Sequence, residues 1–260
     1  GTAGCVRACL ENDLLRVDSP RLWYMGPMFR YERPQKGRSR QFNQASIEAF
    51  GNEGPYIDSE IILVAEKLWK ELCISHSLSL EINSLGNLQT RGKYKESLKE
   101  FFTSYEKDLD NNSLRQLEEN PLRILDSKSE KIQKILNDSP SIIHYLDKDS
   151  AIHFDKLQET LSSSGVSFTV NEKLVRGLDY YNKTVFEWKA ENVGAQDALC
   201  GGGRYDNLVE SLGGGHCPAV GFSIGLERLI LLLEKLDTLK GNANSNLDCF
   251  VVCLTEEAFP

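Results

Sequence analysis

The stretch Val175–Trp188, Val-Arg-Gly-Leu-Asp-Tyr-Tyr-Asn-Lys-Thr-Val-Phe-Glu-Trp, carries the strongest signal in the chain. Its β-branched and aromatic residues predict a strand that starts at Leu174. Because Arg176 has apolar neighbours, we expect its side chain to enter a partly enclosed space. There it would either bind a ligand or form a buried ion pair with Asp179 or another nearby carboxylate. The two adjacent tyrosines fit either ligand contacts or core aromatic residues.

Two further runs point to an anionic ligand. Five arginines or lysines lie between residues 30 and 40, opposed by Glu32 alone. Gly201–Arg228 is rich in glycine and leads into a helix, whose N-terminus favours an anion. Guanidinium groups bind phosphate through paired hydrogen bonds. The three runs together indicate one site for a phosphate-bearing ligand and a small polar one. Taken singly, a basic run is typical of a solvated hairpin tip, and Gly201–Gly203 is typical of a flexible turn.

Length and composition indicate a globular chain. The 260 residues, 40% hydrophobic and 26% charged, suffice for one large domain or for a domain with a smaller insert. The net charge of −8 means that nucleic-acid binding would need a local basic patch, which residues 30–40 supply. No apolar run approaches the ~18–20 residues of a membrane span, and none is expected.

Cysteines and histidines set expectations about compartment and metals. The seven cysteines are scattered without a Cys-x-x-Cys pair, which favours a reduced, cytoplasmic location. The four histidines form no ligand cluster, so we expect no metal held by the protein alone. The N-terminus has no signal-peptide pattern and no initiator Met, which suggests that the chain starts inside a longer product.

The basic run separates two predicted strands, Arg21–Glu32 and Gln41–Phe50, of an antiparallel hairpin. Residues of the second strand alternate, so one of its faces is mostly polar. That face carries Phe42, Gln44, Ser46 and Glu48. Arg30, on the partner strand, could converge with it.

Elsewhere the chain mixes helices and strands. Asp58 is predicted to cap a helix that runs to Leu72. A second helix is predicted at Tyr205–Leu212, and a strand at Ala219–Ile224 runs into a helix at Leu226–Lys235. Residues 87–165 are polar, poor in glycine and helical in period, which indicates a helical insertion. The polar faces of this insertion could be solvent faces or a partner surface.

Three motifs resemble those of one enzyme family. Gly26-Pro-Met-Phe-Arg-Tyr-Glu-Arg-Pro-Gln-Lys-Gly-Arg-Ser-Arg-Gln-Phe-Asn-Gln44 resembles motif 2 of the class II aminoacyl-tRNA synthetases, in the form found in histidyl-tRNA synthetases. Leu174-Val-Arg-Gly-Leu-Asp-Tyr-Tyr181 resembles a signature peculiar to the histidine enzymes, and Ala219-Val-Gly-Phe-Ser-Ile-Gly-Leu-Glu-Arg228 resembles motif 3. The likeness runs from residue 1 to about 236. Neither a Walker-type phosphate loop nor a dinucleotide fingerprint is present.

The resemblance implies an α+β fold, an antiparallel six-stranded catalytic sheet flanked by helices. It implies a catalytic domain in two parts, 1–86 and 166–236, around a helical insertion at 87–165 that touches the tRNA acceptor stem. Residues 237–260 would be a linker and the start of an anticodon-binding domain. Motif 1, the usual dimer element, would precede this chain, and the full-length protein would be a homodimer.

The implied activity is that of a histidine–tRNA ligase. L-Histidine and ATP would give histidyl-adenylate and pyrophosphate, and the histidyl group would then pass to tRNA(His). Magnesium would arrive bound to the ATP phosphates. No covalent enzyme intermediate is needed, since the catalysis would be electrostatic.

The resemblance also assigns residues to roles. The catalytic arginines would be Arg30, Arg176 and Arg228. Histidine would be bound by Thr2, Gln44, Glu48, Tyr180 and Tyr181. ATP would be bound by Arg30, Glu32, Arg38, Phe42 and Arg228. The tRNA acceptor end would be contacted by Arg33, Gln35, Lys36 and Arg40.

Two other functions are compatible with parts of the sequence. One is a non-catalytic paralogue that serves as a regulatory or RNA-binding subunit on the same fold. The other is an RNA-binding module that uses the basic hairpin alone. The presence of Arg176, Glu48 and Tyr181 favours the enzyme, because such paralogues tend to lose the activating arginine or the histidine signature.

Overall fold

The computed structural model describes residues 1–31, 34, 39–177, 179–190 and 197–238. Within these ranges seven strands form a single sheet in the order β1-β2-β7-β6-β5-β3-β4. The strands are β1 (Arg21–Phe29), β2 (Gln41–Phe50), β3 (Leu78–Ser84), β4 (Thr169–Val170), β5 (Asn182–Ala190), β6 (Ala198–Arg204) and β7 (Ala219–Gly225).

Neighbouring strands are antiparallel except at one edge, where the two-residue β4 runs parallel to β3. The expected α+β fold with an antiparallel sheet is therefore confirmed, and β4 adds a short seventh strand to the six that were expected. The hairpin of β1 and β2 pairs every residue of β1, from Arg21 opposite Ala49 to Phe29 opposite Gln41.

Eight α-helices accompany the sheet in the described ranges. They are α1 (Thr2–Glu11), α2 (Pro55–Glu71), α3 (Leu88–Thr103), α4 (Asn111–Glu119), α5 (Glu130–Leu136), α6 (Lys148–Ser163), α7 (Leu208–Ser211) and α8 (Leu226–Lys235). No helix in the described part of the chain is both long and apolar enough to cross a membrane.

The main core lies on one face of the sheet, beneath α2, α6 and α8. Ile61 and Trp69 of α2 and Leu157 of α6 are almost inaccessible there. They pack with strand residues such as Phe186 and Phe222. This burial explains why α2 and α8 form, since each carries an apolar stripe.

A second core lies on the opposite face, toward one end of the sheet. It joins Val6 of α1, Phe50 of β2 and Tyr205 with the apolar side chains of α3, α4 and α5. The rest of that face carries the polar side chains of β2. The division into a catalytic domain and an insertion at 87–165 stays a prediction, and α6, inside that range, packs into the main core.

Asp58 does not cap its helix, so that prediction is wrong. The helix α2 begins at Pro55, and Gly54 occupies the cap position. Asp58 is fully buried instead and pairs with Arg204, 146 residues away. It also accepts hydrogen bonds from Thr184 Oγ1 at 2.5 Å and contacts His153 Nε2 at 2.7 Å.

Two backbone predictions are corrected. The strand expected from Leu174 begins only at Asn182, because the buried Asn83 amide binds the carbonyl oxygens of Glu172 and Leu174 and holds this segment in a loop. Gly201–Gly203 is not a turn and lies inside β6.

The helix expected at Tyr205–Leu212 shortens to the single turn α7, so Tyr205 precedes it and is buried. The predicted linker and final domain at 237–260 lie outside the described residues except for 237 and 238.

Candidate functional site

The polar face of β2 continues across the neighbouring strands β7 and β6, whose residues pair with it in register. Glu48 is opposite Gly221, which is opposite Gly203. The pairings place these residues in one row across the sheet. Residues two positions apart share a face, so the next row lies about 7 Å along the strands.

The next two rows continue in the same direction. The middle row joins Ser46, Ser223, Gly201 and Glu187. The hydroxyl oxygens of Ser46 and Ser223 are 2.7 Å apart. A third row pairs Gln44 with Gly225. The three rows form a shallow floor with polar side chains at its margins and glycines within it.

Glu48 is the buried anion of the first row, with 1% of its surface exposed. Tyr24 donates its hydroxyl to Oε1 at 2.9 Å, and Tyr205 donates to Oε2 at 2.5 Å. Burial raises the pKa of Glu48, while the hydroxyls of Tyr205, Tyr24 and Thr2 favour its carboxylate. A side chain at Gly221 would overlap Oε2, so glycine is needed there to admit the carboxylate.

Three aromatic rings enclose this end of the floor. Tyr180 and Tyr181 have ring centroids 4.6 Å apart, and Tyr205 packs edge-on against both. Thr2 acts on both neighbours, since its hydroxyl opposes the rise in the pKa of Glu48 and of Tyr180 that burial causes. This end of the floor thus offers a carboxylate and several hydroxyls beside aromatic rings. It suits a small ring that carries both a hydrogen-bond donor and an acceptor.

Arg176 reaches the middle row from the loop before β5. Its Nη1 forms an ion pair with Glu187, and its guanidinium lies 6.0 Å from the Tyr181 ring centroid. The carboxylate partner is therefore Glu187 and not Asp179. Burial lowers the pKa of Arg176, but Tyr181 and Glu187 outweigh this effect and the net shift is upward. Among the described residues its buried Nε has no hydrogen-bond partner.

Gly201 makes room for that guanidinium. A Cβ atom at Gly201 would lie 2.5 Å from Arg176 Nη1. The glycine run that looks like a turn in the sequence is therefore a part of the strand on which the arginine rests.

Arg228 lies near the third row, in the first turn of α8. Its Nη1 donates to the Ala198 carbonyl at 2.6 Å, and its side chain packs near Gly225. Glu227 accepts hydrogen bonds from the backbone and side chain of Asn43. The third row thus has a cation at its margin, where α8 begins.

Arg30 and Phe42 mark the far end of the floor. The Arg30 guanidinium lies 5.0 Å from the Phe42 ring centroid. Arg40 lies 4.7 Å from the ring of Tyr31, which is exposed. Phe42 and Glu48 are six positions apart, or about 20 Å along the strand.

The structure therefore brings two groups of predicted residues onto one face. The predicted residues Thr2, Glu48, Tyr180 and Tyr181 lie at one end, while Arg30, Phe42, Gln44 and Arg228 lie toward the other, with Arg176 between them. The other predicted residues, Glu32, Arg33, Gln35, Lys36 and Arg38, lie outside the described part.

The protein-family model described as histidyl-tRNA synthetase matches residues 2–229. The chain belongs to the histidyl-tRNA synthetase family. The resemblance of the three motifs is thereby confirmed. A curated histidine–tRNA ligase from Acinetobacter baylyi is 53% identical over the whole of this chain, which spans 60% of that protein.

Solved structures of the family agree on the fold. The apo crystal structure of S. aureus histidyl-tRNA synthetase is 32% identical with a TM-score of 0.71, covering 91% of this chain and 57% of that one. A protein from Bacillus halodurans described as an ATP phosphoribosyltransferase regulatory subunit/histidyl-tRNA synthetase is 21% identical, with a TM-score of 0.58 over 91% of this chain and 63% of its own. At that identity the match shows the fold alone.

Sequence reasoning missed three residues of the site. Tyr24 and Tyr205 hold the Glu48 carboxylate, and Glu187 holds Arg176. Tyr24 falls on the same side of the hairpin as Glu48, because β1 alternates in burial. Nothing local in the sequence marks Tyr205, which reaches Glu48 across 157 positions.

Proposed function

We propose that this chain forms most of the catalytic part of a histidine–tRNA ligase. The enzyme activates L-histidine with ATP to histidyl-adenylate and pyrophosphate, and then transfers the histidyl group to tRNA(His). The observation that carries the proposal is the order of groups along the β2 face. The Glu48 carboxylate with its tyrosine hydroxyls, then Arg176, then the end with Arg30 and Arg228 follow one another, as do the side chain, carboxyl group and nucleotide of a histidyl-adenylate.

Glu48 would read the imidazole ring of histidine. One ring nitrogen donates to the carboxylate, and the other meets a hydroxyl, for which Tyr181 is the family's position. The family's positions for the amino group are Thr2, beside Glu48, and Gln44, in the third row. A ligand without these nitrogens leaves buried polar groups unpaired, so the site can reject it by about 10⁴ or more.

Arg176 would stabilise the adenylation step. A carboxylate oxygen of histidine attacks the α-phosphorus of ATP, and the bond to the bridging oxygen of pyrophosphate breaks. Negative charge builds up on the α-phosphate oxygens in the transition state. A guanidinium that is already fixed beside them lowers the barrier without reorganisation. Arg30 would bind the same phosphate, and Arg228 the distal ones.

ATP would enter with Mg²⁺, which neutralises phosphate charge. Among the described residues no group of three or more His, Cys, Asp or Glu could hold a metal ion. The arginines of the floor fit phosphate oxygens. Glu32 and Arg38 would complete the ATP contacts, and Phe42 would stack on adenine.

The partners of the full-length protein are part of the proposal. Arg33, Gln35, Lys36 and Arg40 would contact the acceptor end of tRNA(His). The outer face of β1 exposes Trp23, Met25 and Phe29, which supports a homodimer that covers them. Free thiols at all five described cysteines support a cytoplasmic location.

Histidine-dependent exchange of pyrophosphate into ATP tests the proposal in the full-length protein. We expect exchange with L-histidine and none with tyrosine, proline or threonine. Binding of histidine or RNA without any exchange would contradict the proposal and favour the non-catalytic paralogue.

A further inference from the structure

The loop that carries Arg176 is held from two sides. On the side of the sheet, the buried Asn83 amide binds the carbonyl oxygens of Glu172 and Leu174. On the other side, the contacts come from residues 87–165, here called the helical segment. Arg176 lies in the chain between Leu174 and Asp179, the residues that the two attachments hold.

Asp179 is the residue that the helical segment holds. Asn120 donates Nδ2 to Asp179 Oδ1 at 2.8 Å, and Arg91 donates Nη1 to the Asp179 carbonyl oxygen at 2.8 Å. Both donors are more than 90% buried, on α3 and immediately after α4. Two buried donors from different parts of the helical segment thus converge on one residue of the loop.

A third contact is weak. Arg123 lies 3.9 Å from Asp179 Oδ2, and the two side chains are 46% and 69% exposed. Exposed pairs of this kind contribute little. The hydrogen bonds of Asn120 and Arg91 therefore dominate the attachment.

Electrostatics support the same pairing. Burial lowers the pKa of the Arg91 guanidinium, and Asp179 is the charge that acts against this shift. A buried cation is costly without a nearby anion. The Asp179 carboxylate is thus held by Asn120 and also compensates Arg91.

Space remains beside the attachment. A cavity of about 450 Å³ separates the loop from the helical segment and is lined by Arg91, Asn112, Asn120, Gly177 and Asp179, among others. Arg91 Nε and Asn120 Oδ1 are buried without a partner among the described residues. The loop is therefore tied to the helical segment at a few points and is not packed along its length.

We propose that Asn120 and Asp179 are positioning residues, which tie the Arg176 loop to the helical segment and so set the placement of Arg176 for adenylation. The catalytic part of this inference rests on the proposed function, whereas the structural tie does not. A movement of the helical segment would then shift Arg176 relative to the reacting phosphate, through the hydrogen bonds of Asn120 and Arg91 to Asp179.

The sharpest variant is Asn120→Asp. It keeps the size of the side chain but sets two carboxylates against each other where one hydrogen bond stood. The matched control is Asn112→Asp, which adds the same charge to the exposed lining of the same cavity. The double variant Asn120→Asp with Asp179→Asn reverses the polarity of the hydrogen bond and should restore it.

Amide hydrogen exchange of residues 174–181 tests the tie without any ligand. In the full-length protein, Asn120→Asp should speed exchange in this segment about tenfold, while β2 and α2 stay unchanged. The control and the double variant should match wild type. Unchanged exchange in Asn120→Asp would overturn the proposal, whether or not the protein is active.

Pyrophosphate exchange tests the consequence. Asn120→Asp should lower kcat at least about tenfold with the KM for histidine within about twofold, and the double variant should recover kcat. Faster hydrogen exchange with an unaltered kcat would overturn the positioning role. A wild-type protein with no histidine-dependent activity would refute the proposed function and leave the tie to be judged by hydrogen exchange.

Discussion

Glu48 is a buried carboxylate surrounded by hydroxyl groups. One substitution tests both its effect on stability and its effect on histidine binding. Its folded-state pKa is raised by burial, so the folded protein holds this proton more tightly than the unfolded chain does. Ionisation of Glu48 therefore lowers the free energy of unfolding as the pH rises through the raised pKa. The same negative charge is what a ring N–H of histidine would bind.

Glu48→Gln should weaken histidine binding about tenfold to a hundredfold, because a hydrogen bond to a charged acceptor is lost. The variant should also gain stability relative to wild type at neutral pH, and this gain should shrink toward about pH 4. Isothermal titration and urea unfolding at both pH values measure the two effects. Glu118→Gln, on the exposed surface of α4, is the control. Histidine binding that survives in Glu48→Gln would contradict the assigned role.

Arg176 is the residue whose loss should affect chemistry more than binding. Arg176→Ala should slow adenylation about 10²- to 10³-fold, the loss typical of one preorganised donor. Histidine should still bind. Single-turnover formation of adenylate measures the effect, with the exposed Arg115→Ala as control. A near wild-type rate in Arg176→Ala would refute its role.

At the scale of elements, β6 shows how adjacent glycines serve different purposes. A Cβ atom at Gly201 would meet the flexible end of Arg176, whereas a Cβ atom at Gly202 would meet the Gly221 backbone and the Phe222 and Phe186 side chains. A guanidinium can shift, but two paired backbones cannot. An alanine at Gly201 should therefore affect the position of Arg176, whereas an alanine at Gly202 should affect the stability of the fold.

Gly201→Ala should slow adenylation at least about tenfold while thermal unfolding changes little, because Arg176 is displaced. Gly202→Ala should destabilise the fold by about 1–3 kcal/mol, as overpacking does in a core. Thermal unfolding and histidine-dependent pyrophosphate exchange distinguish the two variants. Gly92→Ala serves as control. Gly92 lies in α3 with open space around it, so this substitution should raise the free energy of unfolding by about 0.5–1 kcal/mol. Equal loss of stability in the first two variants would contradict this distinction.

Elements with a local pattern could be predicted from the sequence. The alternation of Gln41–Phe50 and the apolar stripe of Leu226–Lys235 gave the bounds that the structure shows. The loop before β5 could not be predicted, because Asn83 and Arg91 donate hydrogen bonds to its Leu174 and Asp179 carbonyl oxygens across about 90 positions. Gly201–Gly203 looks like a turn until Arg176 and Gly221 are seen against it.

At the scale of the whole molecule, a buried polar network joins distant parts of the chain. Asp58 of α2 binds Arg204 at the end of β6, His153 of α6 and Thr184 of β5. Although complete burial opposes ionisation, Arg204 and His153 hold the pKa of Asp58 below its usual range. No sequence pattern signals this network, since its members are brought together only by the fold.

Asp58→Asn should lower the free energy of unfolding by about 3–5 kcal/mol, because Arg204 is left buried without its main partner. The stabilisation from a carboxylate with a depressed pKa is present above its unfolded pKa and is lost as the pH falls through the folded one. The difference in the free energy of unfolding between wild type and variant should therefore become smaller under acidic conditions. Urea unfolding across pH measures it, with the exposed Glu71→Gln on the same helix as control. A gap that widens in acid would contradict the assignment.

If the groups along the floor of the sheet bind a histidyl-adenylate in the proposed order, this ligand should stabilise the protein against unfolding. A non-hydrolysable histidyl-adenylate analogue at about 100 times its Kd should stabilise the protein by about 2.7 kcal/mol. For a chain of this size the melting temperature should rise by about 2–4 °C for each kcal/mol. The tyrosyl, prolyl and threonyl analogues should give no shift, and Glu48→Gln, which weakens binding about tenfold to a hundredfold, should reduce the histidyl stabilisation to about 0.4–1.4 kcal/mol at the same concentration. Equal shifts with all four analogues, or a histidyl shift in Glu48→Gln as large as in wild type, would contradict this arrangement of the site.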